Sequence, residues 1–290
     1  MPNPEAKNAV PEKREGFFPG AGGLKIYWQG FISPAAGPSG PPLVLVAHGL
    51  GEHGGRYRNV IDRLLPLGHP VFLLDHRGHG RSGGKRGHIN SFSEYLDDLR
   101  TFRRLALEET GRERVILLGH SLGGLIALCF ALENPGLLAA VVASSPALRV
   151  NAPVPAVKAA LGKVLSRLLP SLTMDNGLDP EHLSHDPRVV REYVDDPLVH
   201  KKVSARWFTE FTARMEWARA EAPRLRLPLL LLHAGDDRLT DPAGSEQFFQ
   251  RAGSARKNLI RYPGLYHAIF NEVGKEQVFQ DLEKWIAGSR

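Results

Sequence analysis

The chain has one cysteine, Cys129, in 290 residues, so neither an internal disulfide nor a Cys-rich metal framework can form. It has no long hydrophobic run. Stretches such as Leu137 to Ala143 fall far short of the roughly 20 apolar residues that a helical membrane span needs. The first residues, MPNPEAKNAVPEKREG, contain no apolar stretch of the kind a secretory signal requires, so the expected location is cytoplasmic. No repeat or low-complexity segment is visible. Charge of one sign is not concentrated: 37 Lys and Arg against 31 Asp and Glu give +6, spread along the chain. That is a poor basis for nucleic-acid binding, and none is expected. With 42% hydrophobic and 23% charged residues, the composition is that of an ordinary folded protein and excludes disorder and fibrous architecture.

What the chain does contain is an alternation. Short, fully apolar runs occur at Leu43–Ala47, Val71–Leu74, Val115–Leu118, Ala139–Val142 and Leu229–Leu232. Strands of this kind suit a parallel sheet covered on both faces. Helical stretches lie between them. Ser93 to Glu109 is introduced by a capping-box pattern at Ser91-Phe-Ser-Glu94, and Leu122 to Glu133 is stopped by Asn134-Pro-Gly136. Such alternation predicts an α/β fold with right-handed crossovers. An earlier pair, near Phe17 and Leu24–Gln29, reads as an antiparallel hairpin at the sheet edge.

Strand signals vanish between residues 148 and 226. The expected organisation is therefore an α/β core over 1–147 and 227–290, interrupted by a helical cap over 148–226. The first cap helix carries Val154, Val157, Leu161, Leu165, Leu168 and Leu172 at helical spacing, with Lys158, Lys163 and Arg167 off the stripe. The second, Val203 to Ala218, presents Val203, Trp207, Phe211 and Met215. Docking of both stripes on the core is the plain reading. The sharper one is that part of the first faces a lipid surface or lines an acyl channel.

Gly-x-Ser-x-Gly occurs twice, around Ser121 and around Ser82. Ser121 follows a strand and opens an apolar helix, the setting a nucleophile elbow needs, whereas Ser82 sits in a Gly- and Arg-rich loop with no helix after it. A serine hydroxyl needs a base to take its proton. Where a sheet of this class carries such an elbow, the partners follow in the order Ser, acid, His. Of twelve histidines, only His267 lies beyond the residues after the last core strand, Leu229–Leu232, that could carry the acid. Three carboxylates follow that strand. Asp241, before Pro242 and a helical stretch, reads as an N-cap, which leaves Asp236 and Asp237 undecided by spacing.

An oxyanion hole needs two fixed N–H donors. The Leu122 N–H at the start of the elbow helix is one, and Leu50, in the Gly-rich loop after Leu43–Ala47, is the expected second. His48, His53, His76 and His79 cluster in sequence, but none forms a His-Glu-x-x-His pattern, so no metal is expected. The absence of a phosphate-cradling loop with its lysine implies no nucleotide cofactor. Cys129 reads as core filling, and His120 as packing beside the serine.

The segments His48-Gly-Leu-Gly-Glu-His-Gly-Gly-Arg-Tyr57, Asp75-His-Arg-Gly-His-Gly-Arg-Ser82, Gly119-His-Ser-Leu-Gly-Gly124, Gly235-Asp-Asp-Arg-Leu239 and Tyr262-Pro-Gly-Leu-Tyr-His267 span nearly the whole chain. Together they resemble the α/β-hydrolase superfamily, and within it the monoacylglycerol lipase and lysophospholipase-like group. The resemblance implies an α/β-hydrolase fold and selects Asp237, which precedes a basic residue, as the acid. It supports Leu50 as an oxyanion donor, and it implies that Glu52 and Arg56 order the loop on the leaving-alcohol side. It also implies a lipid ester as substrate; Trp207 and Phe211 of the second cap helix are the expected contacts to it, and peripheral membrane contact through the cap is expected from the stripe of the first. The expected activity is hydrolysis of a fatty-acid ester through an acyl-enzyme. Competing readings on the same residues are a general carboxylesterase, lysophospholipase, thioesterase, acyltransferase or proline-releasing peptidase; a non-catalytic receptor is the rival from another class.

Overall fold

The computed structural model describes residues 11–33, 40–151 and 156–288. In chain order the elements are β1 (Glu12–Pro19), β2 (Lys25–Ile32), β3 (Leu43–Ala47), α1 (Arg58–Leu64), β4 (Val71–Leu74), α2 (Ser93–Thr110), β5 (Val115–His120), α3 (Leu122–Glu133) and β6 (Ala140–Ser144). Next come α4 (Ala156–Leu168), β7 (Thr173–Asp175), α5 (Pro187–Asp195), β8 (Lys202–Ser204) and α6 (Ala205–Glu221). After these lie β9 (Leu229–Ala234), α7 (Pro242–Arg251), β10 (Lys257–Tyr262) and α8 (Lys275–Ala287).

Eight strands form one sheet in the order β1-β2-β4-β3-β5-β6-β9-β10. The β1–β2 hairpin is antiparallel and joins β4 antiparallel, while every later neighbour is parallel. Alternate residues of each central strand go to opposite faces. Leu43 and Leu45 pack with Phe102 of α2 and Leu128 of α3, whereas Val44 and Val46 pack with Val60 of α1 and Leu282 of α8. Each such fully buried side chain contributes about 1.5–3 kcal/mol. Both faces are therefore covered, which is why these strands read as unbroken apolar runs. Helix α3 is buried on every side from Leu122 to Leu132, since it lies between the sheet and α6, and Cys129 is part of that core.

The observed strands run past the predicted ones at their C-terminal ends. β5 continues through Gly119 and His120, β6 to Ser144, and β9 through His233 to Ala234. Polar residues there hide the strand pattern because the carboxyl ends of the strands form the crevice where α/β sheets bind ligands. The cap on α2 also differs from the predicted box. Glu94 accepts the N–H of Asn90 at 2.9 Å, one residue earlier than Ser91, while Ser91 Oγ accepts the N–H of Ser93 at 3.3 Å.

Between β6 and β9 the chain makes α4, α5 and α6, plus a ribbon of β7 against β8 that the sequence did not signal. Three-residue strands are too short to show a period. Helix α4 corrects the expectation of two docked stripes. It meets α6 through small residues: the Ser166 hydroxyl is 2.8 Å from that of Thr209, and Gly162 lies against the Phe208 ring. Leu161 and Leu168 point away and are 56% and 73% exposed, as is Leu172 beyond the helix end at 44%, while Leu165 is half-buried. Val154 lies outside the described residues, as do the side chains of Val157 and Lys158. Among the described residues no helix is long and apolar enough to cross a membrane.

Candidate active site

Ser121 occupies the turn between β5 and α3 with φ 54° and ψ −117°. A non-glycine residue held there stores about 1–3 kcal/mol of strain, which persists only where the surroundings over-determine it. They do here. Its N–H donates to Ser144 O at 2.9 Å, and its own carbonyl accepts from Leu125 and Ala147 at 3.1 and 3.0 Å. The turn also needs bare backbone on both sides. A Cβ on Gly119 would overlap the Gly123 carbonyl, and one on Gly123 would overlap that of Ala47. Ser82 lies elsewhere: its hydroxyl donates to Asp75 O and accepts the Tyr27 N–H at 2.8 Å, so it is spent on backbone.

The structure separates the two aspartates left open by spacing. Asp236 is exposed, and Asp237 is buried. Asp237 Oδ1 accepts the N–H groups of Leu239 and Thr240 at 2.8 and 2.9 Å. Its Oδ2 accepts the Thr240 hydroxyl at 2.9 Å and lies 2.7 Å from His267 Nδ1. His233 Nε2 stands 3.4 Å from the same oxygen. Burial opposes the charged carboxylate, but the attraction of His267 and hydrogen bonds from His233 and His267 outweigh it and hold the group well below the usual carboxylate range. Asp241 caps α7 by accepting the Ala243 N–H at 2.9 Å and pairs with Arg149.

His267 is buried, and its ring lies 4.7 Å from that of His120. Burial and the neighbouring His267 push the His120 imidazole down to about 3, so it is neutral near pH 7. It packs beside Ser121 and its Nδ1 lies 3.1 Å from Ser144 Oγ. Ser121, His267 and Leu50 line one pocket, together with Glu52, Arg56 and Tyr57. Leu122 opens α3, where the first N–H groups have no intrahelical acceptor.

Glu52 organises the loop after β3. Its Oε1 accepts the Gly49 N–H at 2.7 Å and the Tyr57 hydroxyl at 2.6 Å, and its Oε2 is 3.4 Å from Arg56 Nε. Burial raises the Glu52 pKa, but the net shift is downward, with the Arg56 charge and the Tyr57 hydrogen bond among the groups that favour the anion, so it stays ionised. The loop is tied to the connection between β6 and β9. His53 Nε2 lies 2.8 Å from Asp196 Oδ2, the His200 N–H donates to Gly51 O at 2.9 Å, and the Arg56 guanidinium sits 5.0 Å over the Tyr193 ring. The other loop histidines are used locally. His48 Nδ1 is 2.8 Å from Gly49 O and its Nε2 accepts the His76 N–H, while His79 Nδ1 meets Arg77 O.

Trp207 and Phe211 require a correction. They are buried and stack on each other at 4.7 Å, and the Trp207 indole donates to the Tyr95 hydroxyl at 3.0 Å. Neither lines the pocket with Ser121. Their helix, α6, turns its apolar stripe into the main core, and a buried indole needs the partner Tyr95 supplies. The apolar wall comes instead from Leu178, Leu183, Leu239 and Phe270. Leu178 and Leu183 lie in irregular chain between β7 and α5, where no period marks them. Tyr193 had a signal, since it stands three residues from Val190, the other buried residue of α5.

The serine aminopeptidase S33 family profile matches residues 41–274, which include every segment of the pocket. A monoacylglycerol lipase of Mycolicibacterium smegmatis is 39% identical over 275 residues, 94% of this chain and 97% of that protein. The crystal structure of Paleococcus ferrophilus monoacylglycerol lipase matches with TM-score 0.81 at 35% identity, covering 97% of this chain and 100% of that one. A soluble variant of monoglyceride lipase from Saccharomyces cerevisiae, in complex with a substrate analog, matches with TM-score 0.82 at 25% identity over 98% of this chain and 96% of that one. The chain therefore belongs to the serine aminopeptidase S33 family of the α/β-hydrolase superfamily, within its monoacylglycerol lipase and lysophospholipase-like group.

Proposed function

We propose that the chain hydrolyses carboxylic esters of fatty acids, monoacylglycerols above all, through an acyl-enzyme on Ser121. The observation that carries this reading is the 2.7 Å contact of Asp237 with His267 Nδ1, at a pocket that the strained Ser121 also lines. With Nδ1–H donated to Asp237, His267 presents Nε2 as a lone pair. Nε2 takes the Ser121 proton as the hydroxyl attacks the ester carbonyl. The N–H groups of Leu50 and Leu122 receive the oxyanion. The imidazolium then gives its proton to the departing alcohol, and the carbonyl re-forms as an acyl-serine. Water, deprotonated by His267, repeats the attack and releases the fatty acid. Asp237 fixes the tautomer and stabilises the imidazolium throughout.

The pocket supports a substrate with two ends. Leu178, Leu183 and Leu239 offer an apolar wall for an acyl chain, while Glu52, Arg56 and Tyr57 offer a polar side for a glycerol. Residues 148–226 act as a cap in this reading, since Leu178, Leu183 and Tyr193 reach the pocket from there. The test is a profile of kcat/KM over monoacylglycerols of graded chain length, simple esters, thioesters and aminoacyl amides. Long-chain monoacylglycerols are expected to lead. A flat or short-chain-only profile makes the chain a general carboxylesterase, and preference for amides makes it a peptidase.

The cap also suits a cytoplasmic protein that works at a lipid surface. The outward leucines of α4, joined by Leu169 at 55% exposure, lie beside exposed Lys163 and Arg167, a combination that favours anionic bilayers. The chain is expected to sediment with phosphatidylglycerol vesicles, and the Leu161→Ser, Leu168→Ser double variant to partition about tenfold less. Equal sedimentation of the two proteins would remove the membrane proposal.

A further inference from the structure

His267 sits on the connection between β10 and α8, residues 263–274, which contains no regular element. Loops of that kind move unless something holds them, yet a general base must keep its place to within about 0.5 Å. Asp237 fixes only one edge of the ring. The loop backbone is fixed by something else.

Glu272, five residues beyond His267, is fully buried. A buried carboxylate is costly unless it is saturated with donors, and this one is. Its Oε1 accepts the N–H of Tyr266 at 3.0 Å, the N–H of His185 at 3.1 Å and meets His185 Nδ1 at 2.6 Å. Its Oε2 accepts the N–H of Val273 at 2.6 Å and the Ser184 hydroxyl at 3.2 Å. Burial works against its charge, but the N–H groups of Tyr266 and Val273 and the His185 hydrogen bonds prevail, so the pKa is lowered and the group is an anion. Its donors come from two places: the residue just before His267 with the loop itself, and the Ser184–His185 turn of the inserted segment. The same two stretches meet through backbone as well, since the N–H of Ala268 donates to Leu183 O at 2.9 Å and that of His267 to His182 O at 3.4 Å. The His185 ring also stacks on Tyr266, with centroids 3.7 Å apart.

We infer that Glu272 is a positioning residue for the reaction: it pins the backbone that carries His267 to the Ser184–His185 turn, so the base is in register only while that turn is docked. Glu272 acts through His267 and touches neither substrate nor Ser121. The claim rests on the reading of His267 as the base, and it adds that base placement and cap placement are one event. A glutamine at this position keeps the shape but replaces one oxygen with an N–H2 that faces donors, so the pin is lost on that side.

The experiment compares wild type with Glu272→Gln by steady-state kinetics on a monoacylglycerol, by the rate at which a fluorophosphonate labels Ser121, and by thermal unfolding. For the folded variant, kcat and the labelling rate are expected to fall together by about 100-fold, as misplacement of a catalytic group by an ångström does, with KM within about threefold. A folded variant with wild-type kcat, or one whose whole loss lies in KM, overturns the inference. If Glu272→Gln does not fold, His185→Ala serves, because that side chain is half exposed and its loss removes one donor and the stack. Its kcat is expected to fall about tenfold, and an unchanged kcat has the same overturning force. Should wild type be labelled by the phosphonate yet not cleave monoacylglycerols, the substrate proposal fails while the labelling rates still decide the role of Glu272.

Discussion

Ser121→Ala is expected to lower kcat for monoacylglycerol hydrolysis by about a million-fold, with KM and fold retained. The size follows from covalent catalysis. Without the hydroxyl no acyl-enzyme forms, and only the oxyanion donors and binding remain, about 10³-fold over water. The stability of the variant should stay close to wild type, with a melting temperature within about 3 °C. Alanine is as strained as serine at φ 54°, and the turn is held by backbone bonds to Ser144, Leu125 and Ala147 that the substitution leaves intact. Kinetics with a sensitive fluorogenic ester, paired with a melting curve, checks both halves. Retention of most of the activity in a folded Ser121→Ala protein would end the acyl-enzyme reading.

Asp237→Asn is expected to cost about 10⁴-fold in kcat, while Asp236→Asn leaves it within about twofold of wild type. The two residues are neighbours in sequence, but one is buried against His267 and the other exposed to solvent. An amide at 237 offers an N–H to Nδ1, which then carries the lone pair, so the tautomer is reversed and Nε2 is no longer a base. The pH dependence follows from the same contact. The folded-state pKa of Asp237 is depressed, so its contribution to stability is complete above the unfolded value near about 3.9 and disappears as pH falls through the folded value. The stability gap between wild type and Asp237→Asn should thus be constant near neutral pH and shrink only in strong acid. Denaturant melts at pH 7 and pH 3 measure it. A gap that closes by pH 6 would overturn the depressed carboxylate at Asp237.

Much of this protein is local and therefore legible. The runs Leu43–Ala47, Val71–Leu74 and Val115–Leu118 are apolar throughout because helices cover both faces of their strands. The elbow at Ser121 is legible because a strand, a strained residue and a helix must follow within a few positions, with glycines where backbone passes backbone. Asp241 announces itself by the proline that follows it. Where a role depends on which way a side chain faces across segments, that legibility ends. Trp207 and Phe211 have the right chemistry for a lipid pocket, yet α6 turns them into the core, and periodicity says only that a face is buried, not against what. The leucine stripe of α4 errs in the opposite sense, for Gly162 and Ser166 make the contact and Leu161 and Leu168 remain outside.

The sequence by itself determined the alternation of core strands and helices and the strand–Ser121–helix turn, and it set the expected order of serine, acid and histidine. Each of these is written in patterns no longer than one element or one turn, where backbone sterics and side-chain period act directly. Tertiary structure decided that Asp237 turns inward while Asp236 stays exposed, that Leu178 and Leu183 wall the pocket, and that Glu272 receives donors from both the histidine loop and the Ser184–His185 turn. Those outcomes depend on which distant stretches meet once the sheet is assembled. A buried carboxylate and an exposed one look the same until their donors are in place.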